Sequence, residues 1–250
     1  MPPNALADLA DETLVNTVAA KAAATVRFLR NAARDYAPVV FATSLGAEDM
    51  VLTDMIAREE IPIGIFTLDT GRLPAETYEL IAETERLYGI RLKTWYPRHD
   101  LVEACVAERG INGFYDSVES RKACCHARKV EPLQRALAGN TAWITGLRAE
   151  QAATRGNLRP VAFDEANGLV KLSPLADWSE REVWAYLRAN HVPYNKLHDR
   201  HFPSIGCAPC TRAIAVGEDV RAGRWWWESP ETKECGLHAG NVTPLRRTGS

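Results

Sequence analysis

The sequence has no long apolar run. No stretch reaches the roughly 18 residues a helix needs to cross a bilayer, and the opening MPPNALADLADETL carries acids where a secretory leader would carry lysines. The chain therefore reads as a soluble, cytoplasmic protein. Nor is there an excess of charge: 30 Lys and Arg stand against 32 Asp and Glu, a net charge of -2. That balance argues against a protein whose main task is to coat nucleic acid or an anionic membrane. Cysteine is scarce, with six in 250 residues, and in a reducing compartment so few thiols rarely form a disulfide framework. They read better as metal ligands or reactive groups. Internal repeats and low-complexity tracts are also missing, which excludes a solenoid or a disordered array.

What is present is a chain 46% hydrophobic, enough to bury a substantial core. A helical segment over about 1–36 precedes an alternation of short β-branched runs and helical patterns. PVVFATS, IPIGIFTLD, IRLKTWYP and TAWITGL read as strands. AEDMVLTDMIARE, PAETYELIAETERLYG, DLVEACVAER and VESRKACCHARKVEPLQRALAG read as helices. GNLRPVAFDEANGLVKLSPL reads as a loop or hairpin, and SEREVWAYLRANH as a last helix opening on a Ser179 and Glu182 capping pair. This order predicts an α/β fold with a doubly wound, mainly parallel sheet over about 37–191. A loop-rich tail over 192–250 follows. In such sheets the ligand crevice lies beyond the strands' carboxyl ends, which points to the loops after Ser44, Leu68 and Thr145.

Four of the six cysteines form two close pairs, Cys124 with Cys125 and Cys207 with Cys210. The second pair has the spacing that lets both sulfurs face one metal. The first does not, because helical neighbours diverge by about 100°. Four such thiolates suit an iron-sulfur cluster, whose separate iron atoms can each take one, better than a single zinc ion. Cys105 has no partner at ligand spacing and reads as a core residue. Cys235 lies in the polar segment SPETKECGLHAG, near Lys233 and His238 and after Arg221, Arg224 and the run WWW. Exposure beside positive charge lowers a thiol's pKa and makes it a candidate nucleophile. His99, His191, His198 and His201 read as surface or structural residues, and His126 is superfluous beside four thiols.

Taken together and in order, CC, CxxC, GRWWWE and KECGLH resemble the assimilatory adenylyl-sulfate (APS) reductases, the iron-sulfur branch of the APS/PAPS reductase family, from about Val39 to His238. The resemblance implies an adenine nucleotide alpha-hydrolase-like (PP-loop) fold, a [4Fe-4S] cluster, and thioredoxin-dependent reduction of adenosine 5'-phosphosulfate to sulfite and AMP in sulfate assimilation and cysteine biosynthesis. It implies Cys124, Cys125, Cys207 and Cys210 as cluster ligands and Cys235 as nucleophile. Lys129 matches an active-site lysine, and Arg221, Arg224 and His238 match basic residues near the phosphosulfate. Ser44, Leu45 and Gly46 match a phosphate turn, and Leu68, Asp69, Thr70 and Gly71 a nucleoside loop. Arg148 and Arg155 match a basic loop.

The residues suit those roles. A strand-to-helix turn offers unpaired N–H groups to a phosphate. Leu45 and Glu48 depart from the Ser-Gly-Gly-x-Asp-Ser turn of the related ATP pyrophosphatases, and the acid is expected to repel further phosphates, favouring a substrate with one phosphate. Lys129, Arg148, Arg155, Arg221 and Arg224 would offset charge while Cys235 attacks sulfur. The tail would close over substrate and then expose Cys235 to thioredoxin. The rival readings are a PAPS reductase, a tRNA-modifying sulfur enzyme, and a non-enzymatic metal-binding interaction module; the last leaves GRWWWE and Cys235 without a purpose. No nucleic acid or membrane is expected as partner, and homo-oligomerisation is left open.

Overall fold

The computed structural model describes residues 11–151, 158–229, 232–233 and 242–243. Among them seven strands form one sheet: β1 (Val39–Ala42), β2 (Gly64–Leu68), β3 (Lys93–Trp95), β4 (Ala142–Ile144), β5 (Val161–Asp164), β6 (Leu169–Leu172) and β7 (Val242–Thr243). Their order across the sheet is β3-β2-β1-β4-β6-β5-β7. The first five in that order are mutually parallel, whereas β5 runs antiparallel to both its neighbours. Central strands covered on both faces need apolar residues throughout, and all three residues of β4 are buried accordingly. The segment 156–175, expected as a loop or hairpin, contains a hairpin of β5 and β6, its turn held by Asn167 Nδ2 donating to Asp164 Oδ2 at 2.9 Å.

Seven helices flank the sheet among the described residues. They are α1 (Glu12–Asp35), α2 (Ala47–Arg58), α3 (Ala75–Tyr88), α4 (His99–Arg109), α5 (Val118–Cys125), α6 (Glu131–Leu137) and α7 (Glu180–Ala189). Local chemistry sets their ends. Asp11 caps α1 by accepting from the Leu14 N–H at 3.1 Å. Ser179 and Glu182 form the full capping box expected for α7. Leu14, Val18 and Leu29 of α1 share one core with Met50 and Leu52 of α2 and Val183 and Leu187 of α7. None of the described helices is long and apolar enough to cross a membrane.

Two expectations need correction. The single helix read over 118–139 is α5 and α6 joined by a five-residue π-helical turn, His126–Val130. Pro132 explains the break: it has no N–H to donate and its ring crowds the carbonyl four residues back, at Arg128. The wider turn absorbs that conflict, and such turns recur at functional sites. Cys105 is not core either. It lies on α4, which buries no residue fully because it packs at the periphery.

The chain runs from β1 through β2 to β3 on one side, then returns to place β4 and β6 on the other. Loops leaving the carboxyl ends of β1 and β4 therefore part in opposite directions and leave a crevice.

Candidate active site

A cavity of about 600 Å³ opens at that crevice, within the size range of small-molecule sites. One wall is the turn from β1 into α2. Leu45 there takes a left-handed backbone, φ 59°, and turns its side chain into the core. Gly46 occupies the N-cap of α2 and supplies no side-chain cap, a geometry in which first-turn N–H groups and the positive end of a helix dipole can receive an anion. Ser44 is fixed by Asp49, which accepts from its N–H at 2.6 Å and its hydroxyl at 2.7 Å. Burial pushes the Asp49 carboxyl up to about 6 in spite of those two bonds.

A second wall comes from the end of β2. Leu68 closes the strand, and Asp69 turns the chain by accepting from the Gly71 N–H at 2.7 Å and the Tyr78 hydroxyl at 2.8 Å. Thr70 faces two ways. Its Oγ1 lies 3.2 Å from Cys207 Sγ, and its carbonyl accepts from Arg128 Nη1 at 2.7 Å. The nucleoside loop expected from the sequence is thus joined directly to the second cysteine pair.

All four expected ligand cysteines sit behind this wall. Cys124 and Cys125 end α5, while Cys207 and Cys210 bracket a 3₁₀ turn, Ala208–Cys210. Cys124, Cys207 and Cys210 pack with Phe114 and Trp225. Burial and then the neighbouring Cys207 and Cys125 push the Cys210 thiol up to about 12. Burial likewise raises Cys124, against Arg128 and Arg72. Cys207 goes the other way: burial opposes its ionisation, but Lys129, Thr70, Arg224 and Arg128 together hold it below the ordinary thiol range. Crowded thiols that resist joint ionisation are a donor set a cationic centre would let ionise. Among the described residues no three His, Cys, Asp or Glu side chains converge as for one metal ion.

The expected cations divide. Lys129, Arg221 and Arg224 all border the cavity. Arg224 is buried, lies 4.6 Å above the Trp225 ring and reaches the Ile205 carbonyl at 3.4 Å. Gly206 makes room for it, since a Cβ there would fall 2.6 Å from the guanidinium carbon. Arg221 donates to the Lys233 carbonyl at 2.6 Å. Arg148 borders the cavity too, but its Nε donates to Glu48 at 2.8 Å and its Nη1 to Glu150 at 2.7 Å. Glu48 is therefore charge-compensated, which weakens the repulsion of further phosphates expected of it. Arg155, Cys235 and His238 lie outside the described residues.

Three features escaped the sequence reading. His198, read as surface or structural, is 7% exposed and borders the cavity; burial lowers its pKa, against Glu48. Arg128 bridges the π turn to the nucleoside loop. Arg121 and Glu228 form a buried ion pair, with side chains 1% and 3% exposed and bonds of 2.9 and 2.8 Å. Breaking such a pair strands a charge at a cost of about 3–5 kcal/mol. Glu228 stood in the GRWWWE motif, but nothing in its spacing named a partner 107 positions away.

Residues 38–213 match the family described as the phosphoadenosine phosphosulfate reductase domain. The chain is 61% identical over 229 residues to an adenosine 5'-phosphosulfate reductase of Allochromatium vinosum, covering 92% of this chain and 90% of that one. It is 58% identical over 207 residues to the enzyme of the same name from Burkholderia cepacia, covering 83% of each. Among solved structures, phosphoadenylyl-sulfate (PAPS) reductase from Candida auris in its phosphate complex superposes with a TM-score of 0.66 at 28% identity, over 76% of this chain and 90% of that one. Yeast FAD synthetase, TM-score 0.57 at 14% identity over 81% and 69%, shares the fold alone.

Proposed function

Since the chain belongs to the phosphoadenosine phosphosulfate reductase domain family, we propose that it reduces adenosine 5'-phosphosulfate to sulfite and AMP, with thioredoxin as electron donor, in the cytoplasmic assimilation of sulfate. One observation carries the reading: a single cavity has a phosphate turn on one side, Lys129, Arg221 and Arg224 on another, and the thiol cluster behind Thr70. Cys124, Cys125, Cys207 and Cys210 would hold a [4Fe-4S] cluster. Bound there, it would supply a fixed local charge, and its ligands would tie α5 to the 207–210 turn.

The AMP moiety would lie along the ends of β1, β2 and β4, its phosphate at Gly46 and the first turn of α2. Asp49 holds Ser44 toward it. Lys129, Arg221 and Arg224 would take the phosphosulfate oxygens, and Arg148 can turn from Glu150, the more exposed of its two acids. Cys235 as thiolate attacks the sulfonyl sulfur. An S–S bond forms, the S–O bond to phosphate breaks, and AMP leaves with the electron pair. Cations aimed at the developing charge lower this barrier most. A thioredoxin thiolate then attacks the Cys235 sulfur and sulfite departs with its pair. The donor's second thiol resolves the mixed disulfide, so two electrons pass from thioredoxin to sulfur. Arg155 and His238 complete the proposed basic set.

The test is to incubate iron-loaded protein with adenosine 5'-phosphosulfate or its 3'-phosphorylated analogue, each with reduced thioredoxin. Sulfite and AMP should form from the first at much the higher kcat/KM, and Cys235→Ser should form no sulfite. Equal use of both nucleotides would refute the substrate assignment, and turnover by C235S the nucleophile.

A further inference from the structure

Arg121 has contacts that neither nucleotide binding nor thiol ligation requires. It lies on α5 four residues before Cys125, on the same face of the helix. From there its guanidinium engages both oxygens of Glu228 and donates to the Thr232 carbonyl at 2.8 Å. It also stacks 4.7 Å from the Trp225 ring and reaches the Cys125 sulfur. The other side of the story is Arg224, which lies 4.6 Å from that same ring. Trp225 is thus held between a guanidinium on the cysteine-bearing helix and one that borders the cavity.

The backbone at Trp225 supports the same view. Its φ is 41°, a left-handed value that is costly for a bulky residue and persists only where the surroundings enforce it. Trp225 is 1% exposed, its N–H donates to the Cys210 carbonyl at 3.2 Å, and the Glu228 N–H donates to its own carbonyl at 2.9 Å. A turn of this shape, closed by a buried ion pair, fixes where the chain leaves for Cys235, three positions after Thr232.

We propose that Arg121 is a positioning residue that clamps residues 225–229 and Thr232 onto the helix carrying Cys124 and Cys125. By that clamp it places both Arg224 and the start of the catalytic tail. The proposal rests on the reading of Cys235 as nucleophile, but its first readout does not.

Amide hydrogen exchange of the iron-loaded protein is compared for wild type, Arg121→Gln, Arg121→Lys and Glu228→Gln. In R121Q, exchange over 225–229 should rise at least tenfold while β1 and β4 stay as protected as in wild type. R121K should recover part of the protection, because lysine keeps the charge but not the fork. The single-turnover rate of Cys235 sulfonation should fall at least tenfold in R121Q. E228Q changes the tail side, away from the thiols, and should show the same rise in exchange; it decides the matter if R121Q loads no iron. Wild-type protection over 225–229 in E228Q, or sulfonation within twofold of wild type in iron-loaded R121Q, overturns the proposal. Sulfite formation by C235S would sink the nucleophile reading and still leave the exchange comparison to judge the clamp.

Discussion

Replacing Gly206 by Ala should damage catalysis far more than folding. The backbone at Gly206 is one that other residues adopt, so the added methyl acts through contact alone. Its Cβ would fall 2.6 Å from Arg224 Cζ and 2.9 Å from Nη1, where carbon prefers a separation of about 3.5–4 Å. The guanidinium must retreat by roughly 1 Å. It is the end of a flexible side chain, so the fold should tolerate the shift with a change in Tm of only a few degrees. Its stacking on Trp225 and its bond to the Ile205 carbonyl leave the group no second position of equal quality. A displacement of about 1 Å in a charge-stabilising group costs about 10²-fold in rate, or about 2.7 kcal/mol of barrier. The assay is single-turnover AMP release by G206A, R224A and the double variant. G206A should lose about 10²-fold, and in the R224A background the same substitution should add almost nothing, since both act through one guanidinium. Full additivity, or a G206A rate within twofold of wild type, would show that Gly206 does not act through Arg224.

Other outcomes follow from the same geometry. Lys129→Ala should slow sulfonyl transfer by about 10²–10³-fold, as for loss of one charge-stabilising donor, and leave iron content unchanged; stopped-flow AMP release checks it. Thr70→Val removes the hydroxyl against Cys207, which should cost about 1–3 kcal/mol and shift the visible spectrum of the iron-loaded protein. Asp49 holds its proton up to about 6, against an ordinary 3.8. The folded chain therefore binds that proton more tightly than the unfolded one. The resulting stability is complete below about pH 4 and lost as pH rises through about 6, by at most roughly 3 kcal/mol. Urea unfolding of wild type should accordingly lose ground to Asp49→Asn over that interval, and a pH-independent difference would contradict the assignment.

Much of this was legible in the residues. Alternating β-branched and helical runs, Ser179 with Glu182, and the turn after Ser44 are local signals, and each element formed where its chemistry sits. The two cysteine pairs could be matched across 83 positions because thiols are rare and pair by type. What stayed hidden is long-range and chemically ordinary. Arg121 and Glu228 are common residues whose partnership only the packed tail creates. Glu48 looked like a free acid until Arg148, 100 positions on, met it. The π turn at His126–Val130 is invisible to periodicity, since one extra residue in a turn leaves the apolar pattern almost intact. Cys105 read as core because α4 carries apolar residues at helical spacing, yet that helix packs against α5 and the turns beside it without burying any of them fully.

The central claim is that the nucleotide's sulfonyl group passes to Cys235 before any electron donor acts. Iron-loaded protein mixed with adenosine 5'-phosphosulfate and no thioredoxin tests it most directly, by intact-mass and peptide analysis alongside AMP release. One SO3 group on Cys235 is expected for each AMP released, and sulfite only after reduced thioredoxin is added. AMP released without that adduct, or an adduct on another residue, would contradict it.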